Sequence, residues 1–300
     1  MFILGVKKCG TTDLYKRLAR HPDFLHPGFR EAQWFARKRF ENNKTDDIGY
    51  YIKMFDNVAN KISLNSSTRT DGTLFNDRYI TGEKSPSNLH INSHWKELPG
   101  NENLQEPKFV NLDYIQHFIP KAKILIIFRN PVDRLFSDYF HEYGTLMPHH
   151  RPTIEEFHSI VEKGINLYKD CFKTRSVRSC VYEPSIYEET KIQIQLGIYY
   201  IYWQEILRLF PRDQILVLKT EHLRQNLNDD MKSIFNFLQI RDLSDEELFK
   251  YGIAASNKRR ASRRNPMLDK TADLLYGFYE PFNEIMAELT GDSDFLYERH

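Results

Sequence analysis

Phe2-Ile3-Leu4-Gly5-Val6-Lys7-Lys8-Cys9-Gly10-Thr11-Thr12-Asp13-Leu14 is the stretch that decides the fold. Phe2 to Val6 is an unbroken apolar run, the pattern of a strand buried on both faces. From Thr12 onward Leu14, Tyr15 and Leu18 recur at helical spacing, with Asp13, Lys16 and Arg17 on the opposite face, and His21-Pro22 ends the helix. Lys7 to Thr11 is then a loop between strand and helix. Such a junction aims backbone N–H groups and the positive end of the helix dipole at one spot, which suits a phosphate. Gly10 lets the backbone come close, Lys8 adds a mobile positive charge, and the hydroxyls of Thr11 and Thr12 add donors.

Two other phosphate chemistries fit less well. An ATP- or GTP-binding P-loop requires Gly-x4-Gly-Lys-Ser/Thr. Gly5 and Gly10 have that separation, but Thr11 stands where the lysine belongs. A cysteine phosphatase would place an arginine six residues after its nucleophile, and the sixth residue after Cys9 is Tyr15. Cys9 is therefore expected to be a small residue whose N–H matters more than its sulfur.

Outward from this loop, Ile124 to Phe128 is a second buried-strand run. Arg129 follows it, and Asn130-Pro131 reads as an N-cap and a first helical residue. That helix is predicted over 131–143, with Ser137 two turns in, on the face of the cap. A third run, Ile215 to Leu218, is preceded by an aromatic helix predicted over 191–210 and followed by one over 229–238. A last helix is predicted over 268–289. Residues 41–110 are polar and irregular, read as loops with short helices. Strands alternating with helices predict an α/β fold, a single domain with a central parallel sheet flanked by helices.

Composition narrows the partners. The 300 residues carry a formal net charge of +1, so an anionic partner must be held by a local cluster and nucleic-acid binding by a global field is excluded. No apolar run approaches the ~20 residues needed to cross a bilayer. No signal peptide precedes the first strand, which implies a soluble protein or the catalytic part of a longer one. Cys171 and Cys180 are either free thiols or a disulfide closing a small loop, the latter implying an oxidising compartment. The sequons Asn43-Lys44-Thr45 and Asn65-Ser66-Ser67 point the same way and suggest a glycoprotein. His90 and His94 have helical ligand spacing, but no third ligand is evident and no metal is expected.

Together, the loop at Lys8–Thr12 and the pair Arg129-Asn130-Pro131-x5-Ser137 resemble the two cofactor signatures of sulfotransferases that use 3′-phosphoadenosine 5′-phosphosulfate (PAPS). The resemblance implies a P-loop-like sulfotransferase fold. It implies that Lys8, Cys9, Gly10, Thr11 and Thr12 hold the 5′-phosphosulfate and that Arg129 and Ser137 hold the 3′-phosphate. Glu31 matches the catalytic carboxylate of that family, although Arg30-Glu31 taken alone is an ordinary surface pair. Lys8 is expected to stabilise charge on the leaving oxygen, and Lys84 to position sulfate or acceptor. In the family a late basic loop closes over the nucleotide, and Lys258, Arg259 and Arg260 are its candidates here.

Further stretches are similar to the N-acetylgalactosamine 4-sulfate 6-O-sulfotransferases of chondroitin sulfate: Arg37-Lys38-Arg39-Phe40, Cys180-Val181-Tyr182, Ala255-Ser256-Asn257 and Phe278-Tyr279-x-Pro281-Phe282-Asn283. A glycosaminoglycan acceptor and residence in the Golgi lumen are implied by this resemblance. Lys84, in Gly82-Glu83-Lys84-Ser85-Pro86, instead resembles the heparan sulfate sulfotransferases, and Arg30 replaces the usual lysine before the glutamate. The alternatives are a heparan sulfate enzyme, a nucleotide kinase, which would bind ATP and need magnesium, or a module that binds sulfated glycans without turnover.

Overall fold

The computed structural model describes residues 1–41, 47–68, 74–75, 78–146, 151–254 and 266–299. Six strands are seen among them: β1 (Phe2–Gly5), β2 (Ser67–Thr68), β3 (Leu74–Phe75), β4 (Glu83–Lys84), β5 (Ile124–Phe128) and β6 (Ile215–Lys219). The first seven helices are α1 (Thr11–Leu18), α2 (Ile48–Lys53), α3 (Asp56–Leu64), α4 (Ser87–His90), α5 (Asn111–Phe118), α6 (Pro131–Leu146) and α7 (Ile154–Phe172). They are followed by α8 (Val177–Val181), α9 (Pro184–Thr190), α10 (Tyr199–Leu209), α11 (Thr220–Gln225), α12 (Leu227–Leu238), α13 (Asp245–Lys250) and α14 (Asp269–Thr290).

The chain divides into two compact units. One comprises Met1–Ile91, Tyr114–Phe128 and Pro211–Arg259, and the other Asn92–Asp113, Arg129–Phe210 and Arg260–His300.

The first unit holds the parallel sheet, in the order β4-β1-β5-β6. All three apolar runs of the sequence become its strands: β1 and β5 are buried along their whole length, which needs apolar side chains at every position, and β6, at the sheet edge, is buried in part. Ile124, Leu125, Ile126, Ile127 and Phe128 are each fully buried. β1 pairs Phe2 with Ile124 and Ile3 with Leu125, and β5 pairs Ile124 through Phe128 with Ile215 through Lys219. Helices flank the sheet. A Cβ at Gly5 would lie 2.9 Å from Leu89 Cδ2, so α4 packs directly on β1. The Tyr15 hydroxyl of α1 donates to the Gly82 carbonyl at 3.1 Å, just before β4. β4 lies within residues expected to be irregular. Its two residues pair with Phe2 and Ile3 of β1, and so short a strand leaves no periodicity in the sequence.

The second unit is helical. Asn130 caps α6 as expected, its Oδ1 accepting the Val132 N–H at 3.0 Å. The predicted helix over 191–210 is instead broken. Lys191 takes a left-handed conformation (φ 58°) at the end of α9, a short 3-10 turn follows at Ile194–Gly197, and α10 starts at Tyr199. A Cβ at Gly197 would stand 2.5 Å from Tyr279 Cε1 and 2.8 Å from Pro131 Cβ, so tertiary packing of α14 and α6 against this turn decides the break. Cys171, near the end of α7, and Cys180, in α8, form a disulfide with a Cα–Cα separation of 6.0 Å. Among the described residues, no helix is long and apolar enough to cross a membrane.

Candidate active site

The expected phosphate loop is formed by the chain between β1 and α1. Lys8 has φ 72° and Gly10 φ 93°, so two left-handed residues turn the chain sharply into the helix. Gly10 occupies the N-cap position, and no side chain caps the helix. The Asp13 and Leu14 N–H groups close on the Gly10 carbonyl at 3.0 and 3.1 Å, while the preceding amides of the first turn have no intrahelical acceptor. A Cβ built on Gly10 meets nothing within 4 Å, so the space in front of the loop is open. An open N-terminus with a lysine and two threonines beside it fits an anionic phosphosulfate. The Cys9 N–H donates to the Val6 carbonyl at 3.1 Å and closes the turn. The Cys9 side chain is fully buried, so it shapes the loop from below.

Three predicted residues are brought together beside this loop. Register on β1 sets Lys84 opposite Ile3, and its side chain is only 2% exposed. Lys84 Nζ donates to Thr12 Oγ1 at 3.1 Å and forms an ion pair with Glu31 Oε1. A buried ammonium demands such a partner, because desolvation of an unpaired charge costs several kcal/mol. Glu31 is therefore no surface partner of Arg30. Arg30 is exposed, whereas the Glu31 carboxylate is held by Lys84 and, at 2.8 Å, by Gln33 Nε2. Adjacent Glu83 is fully buried and accepts from Asn88 Nδ2 at 2.7 Å. Burial pushes its carboxyl up to about 7, against hydrogen bonds from Asn88, Ser85 and Tyr51.

Thr220 is a residue the sequence pattern did not single out. It is buried at the start of α11, and its hydroxyl lies 2.7 Å from the Cys9 carbonyl and 3.0 Å from that of Phe128. Its only sequence signal is a polar residue directly after a buried strand.

In the second unit, the Arg129 carbonyl accepts the Tyr199 hydroxyl at 2.7 Å, and Arg129 Nη2 reaches Asp133 Oδ2 at 3.4 Å. Asn130 Nδ2 donates to the Tyr276 hydroxyl at 2.9 Å. Ser137 is half-buried in α6, seven residues beyond the cap and hence on its face. Tyr199 and Tyr276 also went unnoticed in the sequence, since each acts across a long chain separation.

Of the triplet Arg37-Lys38-Arg39, Arg37 is exposed and Arg39 lies 4.0 Å over the Tyr114 ring, its pKa lowered to about 10 by burial. Lys258, Arg259 and Arg260 lie outside the described residues, as do Asn43 and Ala255-Ser256-Asn257. The described segment ending at Ala254 is tied to α1 and the turn after it: Arg17 Nη1 donates to the Ala254 carbonyl at 2.8 Å, and Arg20 to that of Gly252. His94 pairs with Glu97 at 2.7 Å, and no cluster of three metal-ligating side chains occurs among the described residues.

The family model for the sulfotransferase domain matches residues 1–265. Proteins named carbohydrate sulfotransferase 15 from Rattus norvegicus and Homo sapiens are each 32% identical over 99% of this chain. The chain spans about half the length of these relatives, 54% in each case. A heparan sulfate glucosamine 3-O-sulfotransferase 3A1 from Mus musculus is 24% identical over 96% of the chain and 62% of its own length. The crystal structure of a sulfotransferase from Alicyclobacillus acidocaldarius superposes with a TM-score of 0.58, covering 99% of this chain and 98% of that one at 21% identity, a likeness of fold. With its opening strand–loop–helix inside the matched region, the chain belongs to the sulfotransferase domain family, among the carbohydrate sulfotransferases.

Proposed function

We propose that this chain transfers the sulfuryl group of PAPS to a sugar hydroxyl of a glycosaminoglycan, the 6-O of N-acetylgalactosamine 4-sulfate in chondroitin or dermatan sulfate. The observation that carries this reading is the contact of Lys84 with both Thr12 of the phosphate loop and Glu31, which sets a carboxylate beside an anion site. Residues 1–300 act in it as one sulfotransferase domain.

When bound, the nucleotide supplies an activated sulfuryl group and a phosphate leaving group. Lys8, Gly10, Thr11 and Thr12 hold its 5′ end, with Cys9 shaping the turn, and Arg129 and Ser137 hold its 3′-phosphate. Lys258, Arg259 and Arg260 add positive charge over the nucleotide. Glu31 takes the proton of the attacking sugar hydroxyl, a role worth about 10²–10⁴ in rate. Lys84 fixes that carboxylate against the loop. Lys8 offsets negative charge growing on the leaving oxygen, the kind of preorganised electrostatics that is often the largest catalytic contribution. The reaction so drawn uses no metal, because a carboxylate and two lysines supply the proton acceptor and the charge.

The Cys171–Cys180 disulfide supports an oxidising compartment, and we place the protein in the Golgi lumen. Asn65 is exposed at the end of α3 and is the sequon we expect to carry glycan. A second reading, a heparan sulfate acceptor, is favoured by Lys84 and by the 24%-identical relative named for heparan sulfate.

Incubation with labelled PAPS and a panel of partly desulfated chondroitin, dermatan and heparan chains, followed by disaccharide analysis, tests both. Label at the 6-O of 4-sulfated N-acetylgalactosamine is expected. Label confined to heparan moves the acceptor to the second reading. Binding of sulfated chains without transfer to any would make the chain a glycan-binding module.

A further inference from the structure

We infer that Gln33 is a positioning residue for Glu31, holding the second oxygen of the carboxylate so that its remaining lone pairs face one direction. The inference rests on the reading of Glu31 as the base. Glu31 is gripped at both oxygens by different elements: Lys84 of β4 at Oε1, and Gln33 Nε2 at Oε2, 2.8 Å away. A carboxylate has about four acceptor positions, so two remain for an incoming hydroxyl.

The backbone at Gln33 is arranged for this grip. Its φ is 53°, in the left-handed region that a long side chain rarely adopts and that surrounding structure must enforce. The enforcement is visible. The Gln33 N–H donates to Ser85 Oγ at 3.2 Å, and Ser85 is buried beside Lys84. The Gln33 carbonyl accepts the Arg37 N–H at 3.0 Å, and neighbouring Ala32 and Trp34 are buried. The strand end that delivers Lys84 to one oxygen therefore also fixes the residue that holds the other. Gln33 thus gives the carboxylate a second donor, independent of Lys84. Lys84 is the cation in contact with Glu31, Arg30 beside it is exposed, and Glu83 beside Lys84 is buried. All three are the same in variants at position 33, which makes differences attributable to Gln33.

The test measures kcat against pH for the full chain and for Gln33→Leu and Gln33→Glu, with adenosine 3′,5′-bisphosphate affinity and thermal midpoint in parallel. Loss of one charge-assisted hydrogen bond is expected to move the acid limb up by about one pH unit in Gln33→Leu. Gln33→Glu keeps the shape but brings a like charge, and should move it further. Bisphosphate affinity should stay within about 2-fold of wild type. The order Glu above Leu above wild type is electrostatic, and a packing role would not produce it. An unchanged limb in both variants overturns the inference while leaving the base reading intact, provided Glu31→Gln is inactive. An active Glu31→Gln overturns both. Should Gln33→Leu not fold, Gln33→Met takes its place beside the isosteric Gln33→Glu.

Discussion

The hydroxyl of Thr220 sits within hydrogen-bonding reach of the Cys9 carbonyl, 2.7 Å away, although 211 positions separate the two residues. It also reaches the Phe128 carbonyl, at the end of β5 and directly before Arg129. One buried hydroxyl thus ties the phosphate loop to the strand end from which the second signature continues. Thr220→Val, equal in shape but without the hydroxyl, should lower the unfolding free energy by about 1–3 kcal/mol, since a buried carbonyl loses its donor. It should also weaken binding of adenosine 3′,5′-bisphosphate, while Thr220→Ser retains both. Urea unfolding and calorimetric titration check this, and equal behaviour of Val and Ser would discard the tie.

Glu31→Gln removes the proton acceptor and keeps the shape, so turnover should fall by about 10²–10⁴ while bisphosphate affinity stays near wild type. Lys84→Met has a different signature. It leaves Glu31 without its cation, and breaking a buried pair costs roughly 3–5 kcal/mol. Glu31 is 23% exposed, so the lower end of that range is expected in urea unfolding. Near-normal rates in Glu31→Gln would remove it as the base.

Arg129→Ala should weaken adenosine 3′,5′-bisphosphate by about 10-fold or more, the loss of one charge-assisted contact, and leave adenosine 5′-phosphate nearly unaffected. Competition binding with the two nucleotides separates the outcomes. An equal loss for both would place Arg129 away from the 3′-phosphate.

Glu83 predicts a pH dependence of stability. Its folded carboxyl, raised to about 7 chiefly by burial, binds a proton more tightly than in the unfolded chain, where it titrates near 4.5. The native state therefore holds the extra proton between those values. The stabilisation is fully present below pH 4.5 and is lost as pH rises through 7. Glu83→Gln cannot titrate, so its stability relative to wild type should rise across that window, by on the order of 2–3 kcal/mol. Parallel curves of unfolding free energy against pH for the two proteins would contradict this.

Much of this protein was legible in its sequence, for a physical reason. β1 and β5 are buried along their whole length and β6, at the sheet edge, in part, and that demand writes itself as continuous apolar runs. The loop at Lys8–Thr12 and the cap at Asn130 are likewise contiguous, so the amino-acid order alone determines where helices α1 and α6 begin. What only the tertiary structure decided depends on contacts between distant positions. β4 is too short to have a period, yet its pairing with β1 is what buries Lys84. Glu31 and Lys84 lie 53 residues apart, and Arg30-Glu31 taken alone is an ordinary surface pair, so it was the family resemblance and not the local residues that singled out Glu31, and the fold that supplied its partner. The break before α10 came from Tyr279 and Pro131 crowding Gly197, where local apolar spacing favoured one long helix. Short-range order is encoded in side-chain periodicity, whereas the grip on Glu31 exists only once the sheet has brought separate segments together.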